Sequence, residues 1–219
     1  MMSLRRSLLA VSVAAALGTA GIPASAGLLS VSDATFGSFD GSSGTRDLTI
    51  PGFGSILDVN LSIVFAKCDN PSLGPGAVIG DPCIGGGFSF DRETVFRLTH
   101  GSTTVDLVSQ DTYSGQTPGA GVVSITFDDG AAAQGGDISG GTFDPVGSLS
   151  DFNTAEANGL WTLFIADTVG SDRLDYYSAC LSINGDTGCG GGGSVPEPIS
   201  LALLGIGLAG LGFARRKAA

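Results

Sequence analysis

Leu57-Asp58-Val59-Asn60-Leu61-Ser62-Ile63-Val64-Phe65 alternates residue by residue between apolar and polar up to Ile63. Successive Cβ atoms of an extended chain point to opposite faces. Leu57, Val59, Leu61, Ile63 and Phe65 therefore share one face, and Asp58, Asn60 and Ser62 the other. That pattern predicts a strand with one face in a core. Val123, Ile125 and Phe127 repeat it against Ser124, Thr126 and Asp128. Thr94 to Leu98 and Thr103 to Val108 are two further runs, and His100-Gly101-Ser102 joins them as a hairpin. Leu160 to Ala166 is apolar at both parities, which predicts a central strand covered on both faces. Tyr177, Ala179, Leu181 and Ile183 alternate into a last strand. Gly, Asp, Ser and Pro fill the gaps, as turns require. No long amphipathic helix interrupts the series. The expected fold class is all-β, a β-sandwich of jelly-roll type.

The 219 residues include 36 Gly and only 14% charged residues, with mean hydropathy positive at +0.33. A disordered acidic chain would be richer in charge and poorer in Val, Ile, Leu and Phe. Arg5, Arg6, Arg215, Arg216 and Lys217 lie in the terminal segments, as does Glu197. The remaining chain holds five basic against twenty acidic residues, a balance of −15. Such a surface repels phosphate backbones, so nucleic acid is excluded as a partner.

Residues 1–26 have the order of a secretory signal peptide. Arg5 and Arg6 come first, Leu8 to Leu17 is apolar, and Ala24-Ser25-Ala26 is a small-x-small cleavage pattern. The implied partner is the Sec translocon. The body then runs over 27–188, and a Gly-rich linker over 189–195. Residues 196–219 follow, beginning Pro196-Glu197-Pro198 after Val195. Ile199 to Ala214 is an apolar stretch, about 24 Å long as a helix. That is slightly short for a hydrocarbon core, so flanking residues must snorkel or the bilayer thin. Arg215, Arg216 and Lys217 after it place the C-terminus in the cytoplasm and the body outside.

Together Val195-Pro196-Glu197-Pro198, the short spanning stretch and Arg215-Arg216-Lys217 resemble the PEP-CTERM sorting signal of Gram-negative bacteria. The resemblance implies exosortase as a partner, a membrane transpeptidase-like enzyme that cleaves near Pro-Glu-Pro. It also implies a transient membrane anchor before processing, then release to the cell surface or the extracellular polysaccharide matrix. Each Pro removes a backbone donor and favours extended chain, which leaves the motif open to an enzyme cleft.

The four cysteines of this exported chain imply disulfides. Of the three connectivities, the sequence-local one is expected: Cys68–Cys83 and Cys180–Cys189. A metal site is disfavoured by the absence of close CxxC spacing and by the single His.

A second resemblance lies within the body, over roughly Leu48 to Ile183, and is strongest from Gly141 on. Gly141-Thr142-Phe143-Asp144-Pro145 precedes Leu149-Ser150-Asp151-Phe152, then Gly159-Leu160-Trp161-Thr162-Leu163-Phe164-Ile165-Ala166-Asp167, and Leu181-Ser182-Ile183 closes the series. This resembles the P domain (P/Homo B) of kexin-like proprotein convertases, a non-catalytic jelly-roll sandwich that stabilises a subtilisin-like domain. The chain departs from that pattern at Phe65-Ala66-Lys67-Cys68, in a Gly/Pro-rich insertion to about Asp91, and at Asp172-Arg173-Leu174.

For chemistry, a Ser-His-Asp triad would have to use His100, the lone His, in a turn with no nucleophile motif beside it. No catalytic residue is assigned. Calcium is the candidate cofactor, with Asp128, Asp129 and Asp137 as one possible cluster and Asp167, Asp172 and Asp175 as another. Solvated turn residues explain the same aspartates equally well. Trp161 is expected in the core, while Tyr113, Tyr176 and Tyr177 are the candidates for sugar stacking. The expected function is a non-enzymatic surface or biofilm-matrix protein. The alternatives are a calcium-stabilised module binding polysaccharide or a surface protein, and an accessory to a separate subtilisin-like protease.

Overall fold

The computed structural model describes residues 28–116 and 118–185. The expected signal peptide, Cys189 and the whole sorting segment lie outside them. Ten strands follow in chain order: β1 (Leu29–Asp33), β2 (Gly37–Phe39), β3 (Ser43–Ile50), β4 (Val59–Asp69), β5 (Thr94–His100), β6 (Thr103–Val108), β7 (Gly121–Ala133), β8 (Gly141–Asp144), β9 (Gly159–Asp167) and β10 (Asp172–Ile183). Short 3-10 turns occupy Asp91–Glu93 and Leu149–Phe152. No helix among the described residues is long and apolar enough to cross a membrane.

The strands form two sheets. One runs β1-β10-β4-β7-β8, with β2 also on β10; the other runs β3-β9-β5-β6. All neighbours are antiparallel except β7 and β8. One apolar core lies between the sheets. Leu61, Ile63 and Phe65 from β4 face Phe96 and Leu98 from β5 and Trp161, Leu163 and Ile165 from β9. Fully burying each such side chain contributes about 1.5–3 kcal/mol.

Three expectations fail locally. Leu57 is 63% exposed because it precedes β4, in a loop fixed by Asn184, whose side-chain carbonyl accepts from the Leu57 and Asp58 amides. Leu160 is 52% exposed: β9 is central in its sheet, but its outer face is only partly covered. Tyr177 is not on the core face. A bulge between Tyr176 and Ser178 inserts one residue into β10, so Leu174 and Tyr176 share the core with Ala179, Leu181 and Ile183. Tyr177 turns outward, to a second apolar cluster built on Ala66, Cys68 and Val122.

Register defines two poles. Leu29 pairs with Ile183, and Val59 also pairs with Ile183, so the chain enters and leaves the sandwich at one end. Asp69 pairs with Asp172 at the other end, roughly 36 Å away along β10. This distal pole gathers the insertion after β4, the start of β5 and the β9–β10 connection.

Candidate functional site

Lys67 continues the inward-facing series Leu61, Ile63, Phe65 on β4 and so points between the sheets at the distal pole. Its side chain is fully buried. Three carboxyls surround the ammonium. Asp172 Oδ2 is at 2.6 Å, Asp167 Oδ2 at 3.1 Å and Glu93 Oε2 at 3.7 Å. Lys67 Nζ also donates to the Asp172 carbonyl. Asp172 comes from β10, the strand beside β4; Asp167 ends β9 in the facing sheet; Glu93 lies just before β5, opposite the end of β9.

One cation does not neutralise three buried acids. Burial pushes the Asp167 and Asp172 carboxyls up to about 6, against the pull of Lys67. Glu93 is also raised, first by burial, with Lys67 opposing and Asp167 adding to the rise. Asp172 Oδ2 and Glu93 Oε2 are buried and meet no aligned hydrogen-bond donor, although both lie within ion-pair range of Lys67. The cluster thus holds a primary amine against carboxyls that take up protons readily.

The expected calcium ligands separate into different tasks. Asp167 and Asp172 do come together, but the cation between them is Lys67. Asp175 is not with them: its Oδ2 accepts from the Ser72 hydroxyl and the Leu73 amide, at 2.8 and 2.9 Å, and ties down the loop after β4. Asp129 accepts from the Leu149 and Ser150 amides and the Ser148 hydroxyl, each at 2.8 Å. It caps the Leu149–Phe152 turn. Burial raises its carboxyl, but these three donors outweigh that and hold it below the ordinary value. Asp128 follows the opposite parity of β7, and Asp137 lies over Gly115 beside Asp91. Among the described residues no group of three or more His, Cys, Asp or Glu is placed to hold a metal.

Cys68 and Cys83 are bonded as expected, with Cα atoms 5.6 Å apart. The expected partner of Cys180, Cys189, lies outside the described residues; no described cysteine is free. The bond staples the long insertion after β4. The Gly80 amide donates to the Val122 carbonyl, the Val122 amide to the Asp81 carbonyl, and the Gly87 amide to Asp69 Oδ2. From this ordered frame Val78, Ile79, Ile84 and Phe88 project, each more than half exposed.

His100 is not a solvated turn residue. It ends β5 and stacks on Trp161 with ring centres 4.1 Å apart and planes 9° apart. Its ring nitrogens face the Leu160 and Glu156 carbonyls at 3.0 and 2.8 Å. The ring helps line a shallow groove of about 380 Å³ with Thr99, Asn158 and Leu160. Trp161 is fully buried and donates to the Ala157 carbonyl. Tyr113 and Tyr176 are buried in the core rather than offered to a sugar.

Lys67 and Glu93 were missed as site residues. The signal was present: Lys67 sits at a core-facing parity of an apolar strand, where an unpaired ammonium is not tolerated. Val195, Pro196, Glu197, Pro198, Arg215, Arg216 and Lys217 lie outside the described residues.

No curated protein and no solved structure matches this chain. Residues 194–217 match the PEP-CTERM protein-sorting motif. The chain therefore carries the signal of an exported protein that exosortase processes.

Proposed function

We propose that this chain is a non-enzymatic surface or extracellular-matrix protein of a Gram-negative bacterium. Sec exports it, the tail anchors it transiently, and exosortase cleaves it near Pro196-Glu197-Pro198. The sorting motif at residues 194–217 carries this reading. The body acts as a spacer. Its tail leaves at one pole, and the disulfide-stapled loop with Val78, Ile79, Ile84 and Phe88 presents an apolar contact surface at the other. Apolar tips favour a protein partner at the surface or in the biofilm matrix over a polysaccharide.

A jelly-roll body accords with the strand orders 1-10-4-7 and 3-9-5-6, two interlocked Greek keys with β8 added at an edge. The P-domain resemblance spans roughly Leu48 to Ile183 and is strongest from Gly141 on. An accessory role toward a subtilisin-like protease follows from that resemblance alone.

The test is the intact mass of the protein released from its native cells, without reductant. A mass running from Gly27 to about Pro-Glu-Pro supports the reading. A released or membrane-bound form that keeps residues 199–214 refutes processing by exosortase.

A further inference from the structure

We propose that Lys67 and Asp172 form an intramolecular amide bond between β4 and β10, with Glu93 as the proton-transfer group. The pieces are a buried primary amine, a carboxyl oxygen 2.6 Å from it, and a second carboxyl 3.7 Å away. Contact at 2.6 Å holds the Asp172 carboxyl directly against the amine that it would acylate. The site is buried and its side chains are held between two sheets, which favours condensation over the ion pair. Asp172 is nearer than Asp167 and lies on the strand beside β4. Its Oδ2 is buried, with the Lys67 ammonium as its close neighbour. The raised proton affinity of Asp172 supports the choice, since a carboxylic acid, not a carboxylate, loses hydroxyl as water.

The step balances. The Glu93 carboxylate takes a proton from the Lys67 ammonium. The freed Nζ lone pair attacks Asp172 Cγ, forming C–N and sending the C=O π pair to oxygen. Glu93 returns its proton to the Asp172 hydroxyl, the C–O bond breaks with its electron pair, and water leaves. The second nitrogen proton passes to Glu93. Ammonium, carboxylic acid and carboxylate become amide, water and a protonated Glu93. No oxidant, metal or co-substrate is consumed.

The bond would close 105 residues into a ring and pin the far end of β10, the strand whose other end leads to the tail. A pull on the C-terminal end would peel β10 from Ile183 inward and stop at the covalent link at Asp172.

The experiment is mass spectrometry of the exported full chain, reduced and denatured, followed by peptide mapping. The expected result is a body one water lighter than its sequence, with a branched peptide joining Lys67 to Asp172. Lys67→Arg and Asp172→Ala should restore the full mass, and Asp172→Asn should release ammonia instead of water. Glu93→Gln should slow bond formation roughly a hundredfold. The Cys68–Cys83 bond and buried Trp161 fluorescence report whether each variant folds; if none does, the wild-type branched peptide decides alone. A folded wild type of full mass, a link to Asp167, or a water loss reversed by hydroxylamine (an aspartyl succinimide) overturns the proposal.

Discussion

Replacing Lys67 with Met isolates what the ammonium does for the three acids around it. Met keeps the length and apolar stem of the side chain, so packing against Phe65 and its neighbours is largely preserved. What disappears is the only cation within ion-pair range of Asp167 in the described structure. Removing one partner of a buried ion pair costs about 3–5 kcal/mol, and at pH 7.5 the variant should lose at least that much, since the proposed Lys67–Asp172 link disappears as well. The pH dependence is more diagnostic. Asp167 and Asp172 stand at about 6 against 3.8 in the unfolded chain, so the folded state binds their protons more tightly. A shift of that size in one carboxyl corresponds to about 3 kcal/mol. Their favourable contribution is complete below about pH 4 and is lost as pH rises through about 6. Without Lys67 the acids move higher still, so in the variant the loss extends above pH 6. Urea unfolding followed by the single Trp, Trp161, measures this between pH 4.5 and 7.5. The variant is compared with itself across pH, so a covalent contribution of Lys67 to the wild type does not enter. A variant whose stability is flat over this range, or rises with pH, would refute the reasoning.

Asp129→Ala should cost about 1 kcal/mol by uncapping the Leu149–Phe152 turn, and the loss should be the same with calcium or with chelator. Because the Asp129 carboxyl is held low, its contribution is present above its unfolded value of 3.8 and fades only as pH falls below that. The paired change Cys68→Ser and Cys83→Ser opens a loop of 15 residues. The expected loss is about 3 kcal/mol in chemical denaturation. Leu57→Ser and Leu61→Ala separate alternation from burial. The first should move the urea midpoint by no more than about 0.5 kcal/mol equivalent, and the second should cost about 2–5 kcal/mol.

The strands were legible because period-two alternation is a local property. Leu61 to Phe65, Val123 to Phe127 and the β5–β6 hairpin all lie where their side-chain parity puts them. The Cys68–Cys83 pairing was legible for the same reason, since a short separation and a loop rich in Gly and Pro were enough to favour it. Parity fails where one residue is added or where neighbours decide. The bulge at Tyr177 inverts the face of half of β10, and no propensity in Asp175-Tyr176-Tyr177-Ser178 announces it. Leu160 reads as buried yet is exposed, because no element covers that end of the outer face of β9.

By itself the sequence determined the alternating strands, the sorting motif and the acidic balance of the body, since each is legible without the tertiary structure. Only the tertiary structure decided what the acids do. Asp167 and Asp172 are 100 and 105 residues from Lys67, and the sheets must close before the three can meet. A buried ammonium requires acceptors, and between the two sheets it finds those carboxyls and the Asp172 carbonyl. That requirement turned two of the six expected calcium ligands, Asp167 and Asp172, into partners of a lysine.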